Sequence, residues 1–288
     1  MHTTPLHRCF GVEVHGVDLR QVTTANGYPE IRQAFETHSL LLFREQSLDD
    51  EAQLAFGALF GPIEDRSMGK NGPKPRMDNV TNRLVDNTIA AAEDNHTLNL
   101  KANQLWHTDS TFLPVPALAN ILAARVVSSR GGETEFVSTR AAWKEMPEDL
   151  KARARNAVLR HRFSHSRAKI SPELAKQETF TKWADQVWKA IWRNPVNGED
   201  ALYIASHAYA VDGLPEAEGE ALIDELIAFA TRPDAVYTHA WRPGDVLMWD
   251  ERATLHRGRP WPYDEERTLA SICITARDVD GLDLVRPK

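Results

Sequence analysis

The sequence has 288 residues, of which 42% are hydrophobic and 26% charged, with a formal net charge of −7 at pH 7. These proportions are typical of a globular protein, and the acidic balance argues against nucleic acid or an anionic membrane surface as a partner. Two cysteines, Cys9 and Cys273, are too few for a disulfide framework. The N-terminus has no signal-peptide pattern and no apolar run is long enough to cross a bilayer, so we expect a cytoplasmic protein.

The first part of the chain alternates predicted strands and helices. The best-marked element is a helix that Ser47 or Asp49 can cap, with acidic residues in its first turn and Gly61-Pro62 at its end. In chain order, the pattern predicts a strand over 11–19, a helix over 28–39, a buried strand over 40–43 and this helix over 47–62.

The segment 64–79 is rich in Gly, Pro, Lys and Arg and has no periodicity, which predicts a long loop. Long loops in compact domains are often lids or binding loops. We therefore expect a mobile lid around 64–100 in a chain that forms a single domain over 1–288.

The second part of the chain predicts more β-structure. Strands are predicted over 119–127 and 133–138, and a strongly amphipathic helix over 214–232. Further strands follow at VYTHAW, VLMWD and RTLASICITA. Strands on both sides of helical insertions, with no regular βαβ rhythm, favour an antiparallel double-sheet fold over a parallel one.

A candidate metal site comes from the stretch QLWHTDSTF at 104–112. If it is extended, His107 and Asp109 point to the same side, and His256 supplies a third ligand after a later strand. Two histidines and one carboxylate form the facial triad of non-haem Fe(II), and the lack of paired cysteines argues against structural zinc. On spacing alone, however, a His-x-Asp pair can also be a polar sheet edge, because the chain has 11 histidines.

Several separated motifs in this chain resemble the taurine dioxygenase and 2,4-dichlorophenoxyacetate dioxygenase family of Fe(II)/2-oxoglutarate-dependent oxygenases. They are LLLFREQSLDDEAQLAFGALFG, NQLWHTDSTF, GGETEF and GDVLMWDERATLHRGRPW, which span nearly the whole chain in the family's order. The spacing and the residues of these motifs are closer to the aryloxyacetate branch of the family. The resemblance implies a mainly β protein with α insertions, built on a double-stranded β-helix (jelly-roll) core flanked by helices. It also implies a homo-oligomer, dimeric or larger.

The resemblance further implies the site residues and cofactors. The cofactor is Fe(II), the cosubstrates are 2-oxoglutarate and O2, and the coproducts are succinate and CO2. A buried carboxylate needs an always-charged, forked donor, which suits Arg267. A carboxylate ligand at Asp109 implies hydroxylation, since related halogenases have a small residue there. The metal ligands correspond to His107, Asp109 and His256, and the 2-oxoglutarate site to Thr134, Arg267, Asn103 and Trp249.

The pattern departs from the family at one informative position. A further arginine, four residues after the Arg267 position, binds the substrate's acidic group in the two named relatives, and here that residue is Ser271. Other residues could take over the task of this arginine, and for each basic candidate the alternative is a solvent-exposed surface charge. The candidates are His165, Arg167, Lys70 and Ser271 itself. Alternation would place His165 and Arg167 on one strand face with His161. Lys70 lies in the predicted loop together with Arg66, Lys74 and Arg76. Trp183, Trp188 and Trp192 are interpreted as helix-core residues rather than a substrate cage.

Three functions follow from different interpretations of these residues. The first is hydroxylation of a small organic acid, such as an aryloxyalkanoate or related aromatic carboxylate. The second is the same chemistry on a sulfonate or sulfate ester. The third is a non-catalytic jelly-roll sensor of a small acid.

Overall fold

A computed structural model describes residues 1–65 and 77–288 of the chain. The described residues form fifteen strands and ten α-helices. The strands are β1 (His2–Pro5), β2 (Val12–His15), β3 (Leu40–Phe43), β4 (Asp78–Thr81), β5 (Ala117–Val126), β6 (Thr134–Ser138), β7 (Val158–His161), β8 (Gln186–Lys189), β9 (Ile191–Arg193), β10 (Asp200–Leu202), β11 (Ala208–Val211), β12 (Tyr237–His239), β13 (Val246–Asp250), β14 (Thr254–Gly258) and β15 (Thr268–Thr275). The helices are α1 (Tyr28–His38), α2 (Asp50–Ala58), α3 (Asn95–Ala102), α4 (Thr139–Glu145), α5 (Glu148–Arg155), α6 (Phe163–Ala168), α7 (Pro172–Ala175), α8 (Glu178–Thr181), α9 (Glu216–Ala230) and α10 (Leu282–Val285).

The centre of the molecule is a large, almost wholly antiparallel sheet in the order β1-β2-β3-β13-β5-β15-β4. Its single parallel pair is β2 with β3. A second sheet, β12-β6-β14, is antiparallel throughout. Two small sheets, β11-β7-β8 and β10-β9, lie outside this pair. Among the described helices, none has both the length and the apolar character of a membrane span.

The two main sheets pack face to face through a shared apolar layer. Phe136 of β6 meets Trp249 of β13 edge-on, with ring centroids 5.2 Å apart. Leu40 and Leu42 of β3 and Leu122 of β5 belong to the same buried cluster. The layer closes the sandwich, and the predicted double-stranded β-helix core with flanking helices is confirmed.

The outer face of the large sheet is covered by helices. Because side chains alternate along a strand, Leu41 and Phe43 point away from the sandwich while their neighbours point into it. They pack in one cluster with Phe35 of α1 and Phe56 of α2. The α2 helix begins where predicted, since the Asp49 carboxylate accepts a hydrogen bond from the Ala52 amide.

Two sequence interpretations differ from the structure. Trp188 lies in β8 and Trp192 in β9, so the prediction of helix-core tryptophans is wrong, although both side chains are buried. The single strand face predicted for His161, His165 and Arg167 is also wrong, because β7 ends at His161 and α6 contains the other two. For Trp188 and Trp192 the spacing suited either type of element, and the pairing of β8 with β7 decided it.

The predicted lid around 64–100 falls only partly on described residues, because 66–76 lie outside them. From residue 77 onward the structure has regular elements there. Strand β4 pairs with β15, and α3 follows at Asn95–Ala102.

Candidate active site

Three sequence-predicted ligands converge between the two main sheets. His107 and His256 form an isolated antiparallel bridge, and their backbones exchange hydrogen bonds of 3.0 and 2.9 Å. The Nε2 atom of His107 lies 3.6 Å from Oδ1 of Asp109, and Nε2 of His256 lies 3.9 Å from Oδ2. One ligand atom from each residue lies within 4.8 Å of the other two. This spacing suits a single metal ion bonded to all three.

The histidines are held in the form that binds metal. The Nδ1 atom of His107 lies 2.7 Å from the Leu105 carbonyl oxygen, which can only accept, so Nδ1 carries the proton and Nε2 has the free lone pair. Burial lowers the pKa of His107, and burial together with the neighbouring His107 lowers the pKa of His256 to about 3. Both imidazoles are therefore neutral near pH 7. Two neutral imidazoles and one carboxylate fit Fe(II).

Asp109 is held through both its carboxylate and its backbone amide. Asn120 donates a hydrogen bond from Nδ2 to Oδ2 of Asp109, at 2.7 Å. The Asp109 amide donates to Oε2 of Glu251 at 2.9 Å. Neither partner was predicted from the sequence. Asn120 had one signal, being the only side-chain amide in the apolar stretch ALANILAARV.

The ligands open into a cavity of about 360 Å³ that also holds the predicted 2-oxoglutarate residues Thr134, Arg267, Asn103 and Trp249. Thr134 accepts a hydrogen bond from Trp241 Nε1 at 2.9 Å, so its own hydroxyl proton can be donated to a ligand. The Trp249 ring lies 4.7 Å from the His256 ring and forms part of the wall.

Arg267 is a buried cation at the edge of this cavity. Its Nη2 donates to the Gly132 carbonyl at 2.8 Å, and its guanidinium lies 4.9 Å from the Trp261 ring centroid. Burial lowers the pKa of Arg267 to about 10, which leaves it protonated at neutral pH. Within residues 1–65 and 77–288, no carboxylate lies within 4 Å of this guanidinium. A buried cation in this setting favours an anionic ligand.

Asn82, which sequence analysis did not identify, places Arg267. This buried amide accepts from the Arg267 backbone N–H at 3.0 Å and donates to the carbonyls of Tyr263 and Glu265 at 2.9 and 2.8 Å. It therefore fixes the segment that leads into β15. Its position within the predicted lid gave no signal of this role.

The predicted substrate residues separate into three groups. Arg167 and Ser271 line the cavity. His165 packs near Tyr209, with ring centroids 5.9 Å apart, and is not placed in the cavity wall. Burial and the charges of neighbouring lysine and arginine side chains lower the pKa of His165 to about 4. Lys70, like Arg66, Lys74 and Arg76, lies outside the described residues.

An aromatic wall adjoins Arg167. Its guanidinium lies 4.2 Å from the Phe163 ring centroid, and Phe163 stacks on Phe112 at 3.7 Å and 6°. Nε and Nη2 of Arg167 donate to Asn99 Oδ1 at 3.1 and 3.0 Å. A side cavity of about 310 Å³ begins at Phe112 and Phe163 and is also lined by Phe180 and Trp183. The wall could receive an aromatic group beside the cation.

The double sheet and its His-Asp-His cluster, opening beside a buried arginine, define a mononuclear non-haem metal enzyme. Comparison with known sequences specifies the family. The sequence model of the taurine catabolism dioxygenase TauD, TfdA family matches residues 2–273, and the chain belongs to this family. It is a dioxygenase.

Known relatives resemble the chain over most of its length. It is 35% identical to the (S)-phenoxypropionate/alpha-ketoglutarate-dioxygenase of Sphingobium herbicidovorans, over 92% of this chain and 91% of the relative. It is 34% identical to the alpha-ketoglutarate-dependent 2,4-dichlorophenoxyacetate dioxygenase of Cupriavidus pinatubonensis, over 92% and 94%. A crystal structure of AAD-2 in complex with Mn(II) and N-oxalylglycine matches with a TM-score of 0.87 and 31% identity, covering 96% of this chain and 98% of that one.

Proposed function

We propose that the chain is an Fe(II)- and 2-oxoglutarate-dependent dioxygenase that hydroxylates a small organic acid, an aryloxyalkanoate or related aromatic carboxylate. Succinate and CO2 are the coproducts. The observation that carries this proposal is the joint presence of His107, Asp109, His256 and the buried Arg267 in one cavity. The names of the similar dioxygenases support the substrate class.

His107, Asp109 and His256 would hold the iron. With 2-oxoglutarate, bound Fe(II) activates dioxygen and supplies the oxidant for hydroxylation. The chain contributes two neutral imidazoles, with the tautomer of His107 fixed by the Leu105 carbonyl, and a carboxylate that Asn120 holds in place. These residues keep the metal-facing atoms within bonding reach of one ion before it binds.

Arg267 and Thr134 would bind the distal carboxylate of 2-oxoglutarate. A guanidinium offers two parallel donors to a carboxylate, and burial strengthens this pairing because water does not compete. Gly132 and Asn82 hold the arginine from its side-chain and backbone ends. Asn103 and Trp249 complete the wall on the metal side.

Arg167 would bind the acidic group of the substrate, in place of the arginine that the family has at the Ser271 position. Asn99 orients the guanidinium toward the cavity wall, and the stacked Phe112 and Phe163 offer an apolar surface for an aryl ring. A sulfonate or sulfate ester could also pair with this arginine. The aromatic lining of the side cavity favours the aryl acid.

The test is substrate-dependent succinate release by purified protein with Fe(II), ascorbate and 2-oxoglutarate. We expect release with an aryloxyacetate or aryloxypropionate and less with an alkyl sulfonate. The reverse order would select the sulfonate alternative. His107→Ala and Asp109→Ala should abolish release, whereas His96→Ala, an exchange in the wall away from the triad, should retain some turnover.

A non-catalytic sensor would behave differently in the same assay. It would bind 2-oxoglutarate or the aryl acid without releasing succinate under any condition. We also propose that the single domain acts in the cytoplasm as a homo-oligomer. Cys9 and Cys273 form no disulfide, which agrees with a reducing compartment. Light scattering on the purified protein tests the assembly.

A further inference from the structure

The residue that departs from the family pattern lies on the wall of the metal cavity. Side chains alternate along β15, so Ser271 points to the same face as Leu269 and Cys273, following on from Arg267. Arg267, Leu269 and Ser271 all line the cavity. Ser271 is buried, and its hydroxyl Oγ lies 3.1 Å from Oδ1 of Asn120.

The hydrogen-bond chemistry gives this contact a fixed direction. Asn120 directs its NH2 group toward Asp109, because its Nδ2 donates to Oδ2 of that carboxylate at 2.7 Å. The amide oxygen of Asn120 then faces Ser271 and can only accept. The Ser271 hydroxyl must therefore donate. Ser271 thus donates to Asn120, and Asn120 donates to Asp109.

Asn120 is held on its other side as well. Its Nδ2 lies 3.5 Å from the sulfur of Cys273, which in turn lies 3.8 Å from Oδ2 of Asp109. Asn120 and Cys273 are direct partners in the β5–β15 pairing. Asp109, Cys273 and Ser271 therefore all contact the Asn120 amide group and together orient its plane.

We propose that Ser271 is a positioning residue for the metal-ligating carboxylate, acting through Asn120 on Asp109. The inference rests on the proposed metal site. Asn120 holds the carboxylate through Oδ2, and Oδ1 of the same group lies 3.6 Å from Nε2 of the metal ligand His107. The serine that replaces the family's arginine thus supports a metal ligand instead of binding substrate.

The test is the affinity of the full-length apo protein for Mn(II), measured by electron paramagnetic resonance of the unbound ion without any turnover. Loss of an outer partner of a metal ligand typically weakens binding about 10–100-fold, which we expect for Asn120→Ala. Ser271 acts one hydrogen bond further away, so Ser271→Ala should weaken binding about three- to tenfold. Ser271→Thr keeps the hydroxyl and should restore the wild-type affinity.

The double variant N120A/S271A tests whether the serine acts through Asn120. It should bind Mn(II) no more weakly than Asn120→Ala alone. The matched control is Thr268→Ala, which removes a hydroxyl from the same strand but one that bonds to Thr81 Oγ1, and it should bind as the wild type does. In the Co(II)-loaded protein, Ser271→Ala should shift the visible absorption bands in the same direction as Asn120→Ala.

The inference is overturned if Ser271→Ala binds Mn(II) as tightly as wild type, or if the two alanine effects multiply in the double variant. Melting temperatures of the apo variants identify any that fail to fold. If Ser271→Ala fails, the Mn(II) affinity of Ser271→Thr decides, and the inference requires the wild-type value. A wild-type protein that binds Mn(II) but never releases succinate would overturn the proposed function and leave this inference standing. A wild-type protein that does not bind Mn(II) overturns both.

Discussion

The backbone amide of Asp109 donates a 2.9 Å hydrogen bond to the side chain of Glu251, which is fully buried. Burial, with a smaller contribution from the Asp109 carboxylate, raises the pKa of Glu251 well above its ordinary value. Burial therefore favours the protonated form of the Glu251 carboxyl. In that form it offers an acceptor to the amide without placing a second negative charge behind the metal ligand.

Glu251→Gln should consequently fold as well as the wild type, because glutamine keeps the shape and the acceptor. Glu251→Ala leaves a buried amide unpaired and should lose about 1–3 kcal/mol of unfolding free energy. A carboxyl with a raised folded-state pKa binds more protons folded than unfolded, so its contribution to stability falls as pH rises above its ordinary pKa. Denaturant unfolding of apo protein between pH 5 and 8 should show a smaller such fall for Glu251→Gln, and an equal fall would contradict the assignment.

Gly132 controls the space around Arg267. Its φ is +72°, and an added Cβ would lie 2.8 Å from Nε of Arg267. We expect Gly132→Ala to displace the guanidinium and to weaken binding of 2-oxoglutarate or N-oxalylglycine at least tenfold, measured by calorimetry. Mn(II) affinity should stay unchanged, because the three metal ligands do not contact Gly132.

Gly213→Ala is the matched control for that experiment. Its φ is +83°, but a Cβ there meets nothing within 4 Å. Both alanines strain the backbone, by about 1–2 kcal/mol, and only the one at 132 reaches Arg267. Equal affinities for N-oxalylglycine in the two variants would show that Arg267 does not anchor the cosubstrate.

Arg167→Met should raise KM for the acid substrate about tenfold or more, since a buried charge-assisted hydrogen bond is lost. The KM for 2-oxoglutarate should change little, because that anion binds at Arg267. Arg162→Met is the control, as Arg162 belongs to the same segment but bonds to Asp185 on the surface. Steady-state kinetics on all three proteins would refute the role of Arg167 if the KM for 2-oxoglutarate rose instead.

Because His161 is buried, the free energy of unfolding should depend on pH in the acidic range. His161 is fully buried on β7, and burial lowers its pKa to about 3. The unfolded chain binds this proton near pH 6.5, so the folded state loses stability as pH falls from about 6.5 toward 3, by up to about 1.4 kcal/mol per pH unit. In His161→Leu this part of the slope should be absent from urea unfolding measured over pH 4–7, and an unchanged slope would show that His161 titrates freely.

The residues whose chemistry is local were predictable from the sequence. Asp49, as a capping residue, predicted the start of α2. The His-x-Asp spacing together with the distant His256 indicated the metal site. The alternation over 11–19 predicted the strand that contains β2, the apolar run over 40–43 predicted a buried strand, and the apolar character of β5 and β13 predicted strands. Except for His256, each of these signals lies within a few residues of the feature it predicts.

Contacts across the sandwich could not be predicted in the same way. Glu251 and Asn120 reach Asp109 from β13's end and from β5, and no local spacing encodes that meeting. Trp188 and Trp192 fit a helical period as well as they fit two short strands, and the pairing of β8 with β7 decided between them. His165 was assigned to a strand because the residues of this segment alternate, but the segment folds as the short helix α6.

The bridge between His107 and His256 has a consequence for how the protein is made. A ribosome releases the first of these histidines long before the second, and the two backbones can join only after β14 has emerged. Contacts between such distant segments form late in folding, since loop-closure entropy opposes them until other structure is in place. We therefore expect the three-ligand site to form only in the completed fold, and a chain truncated after α9 to lack it because His256 is missing.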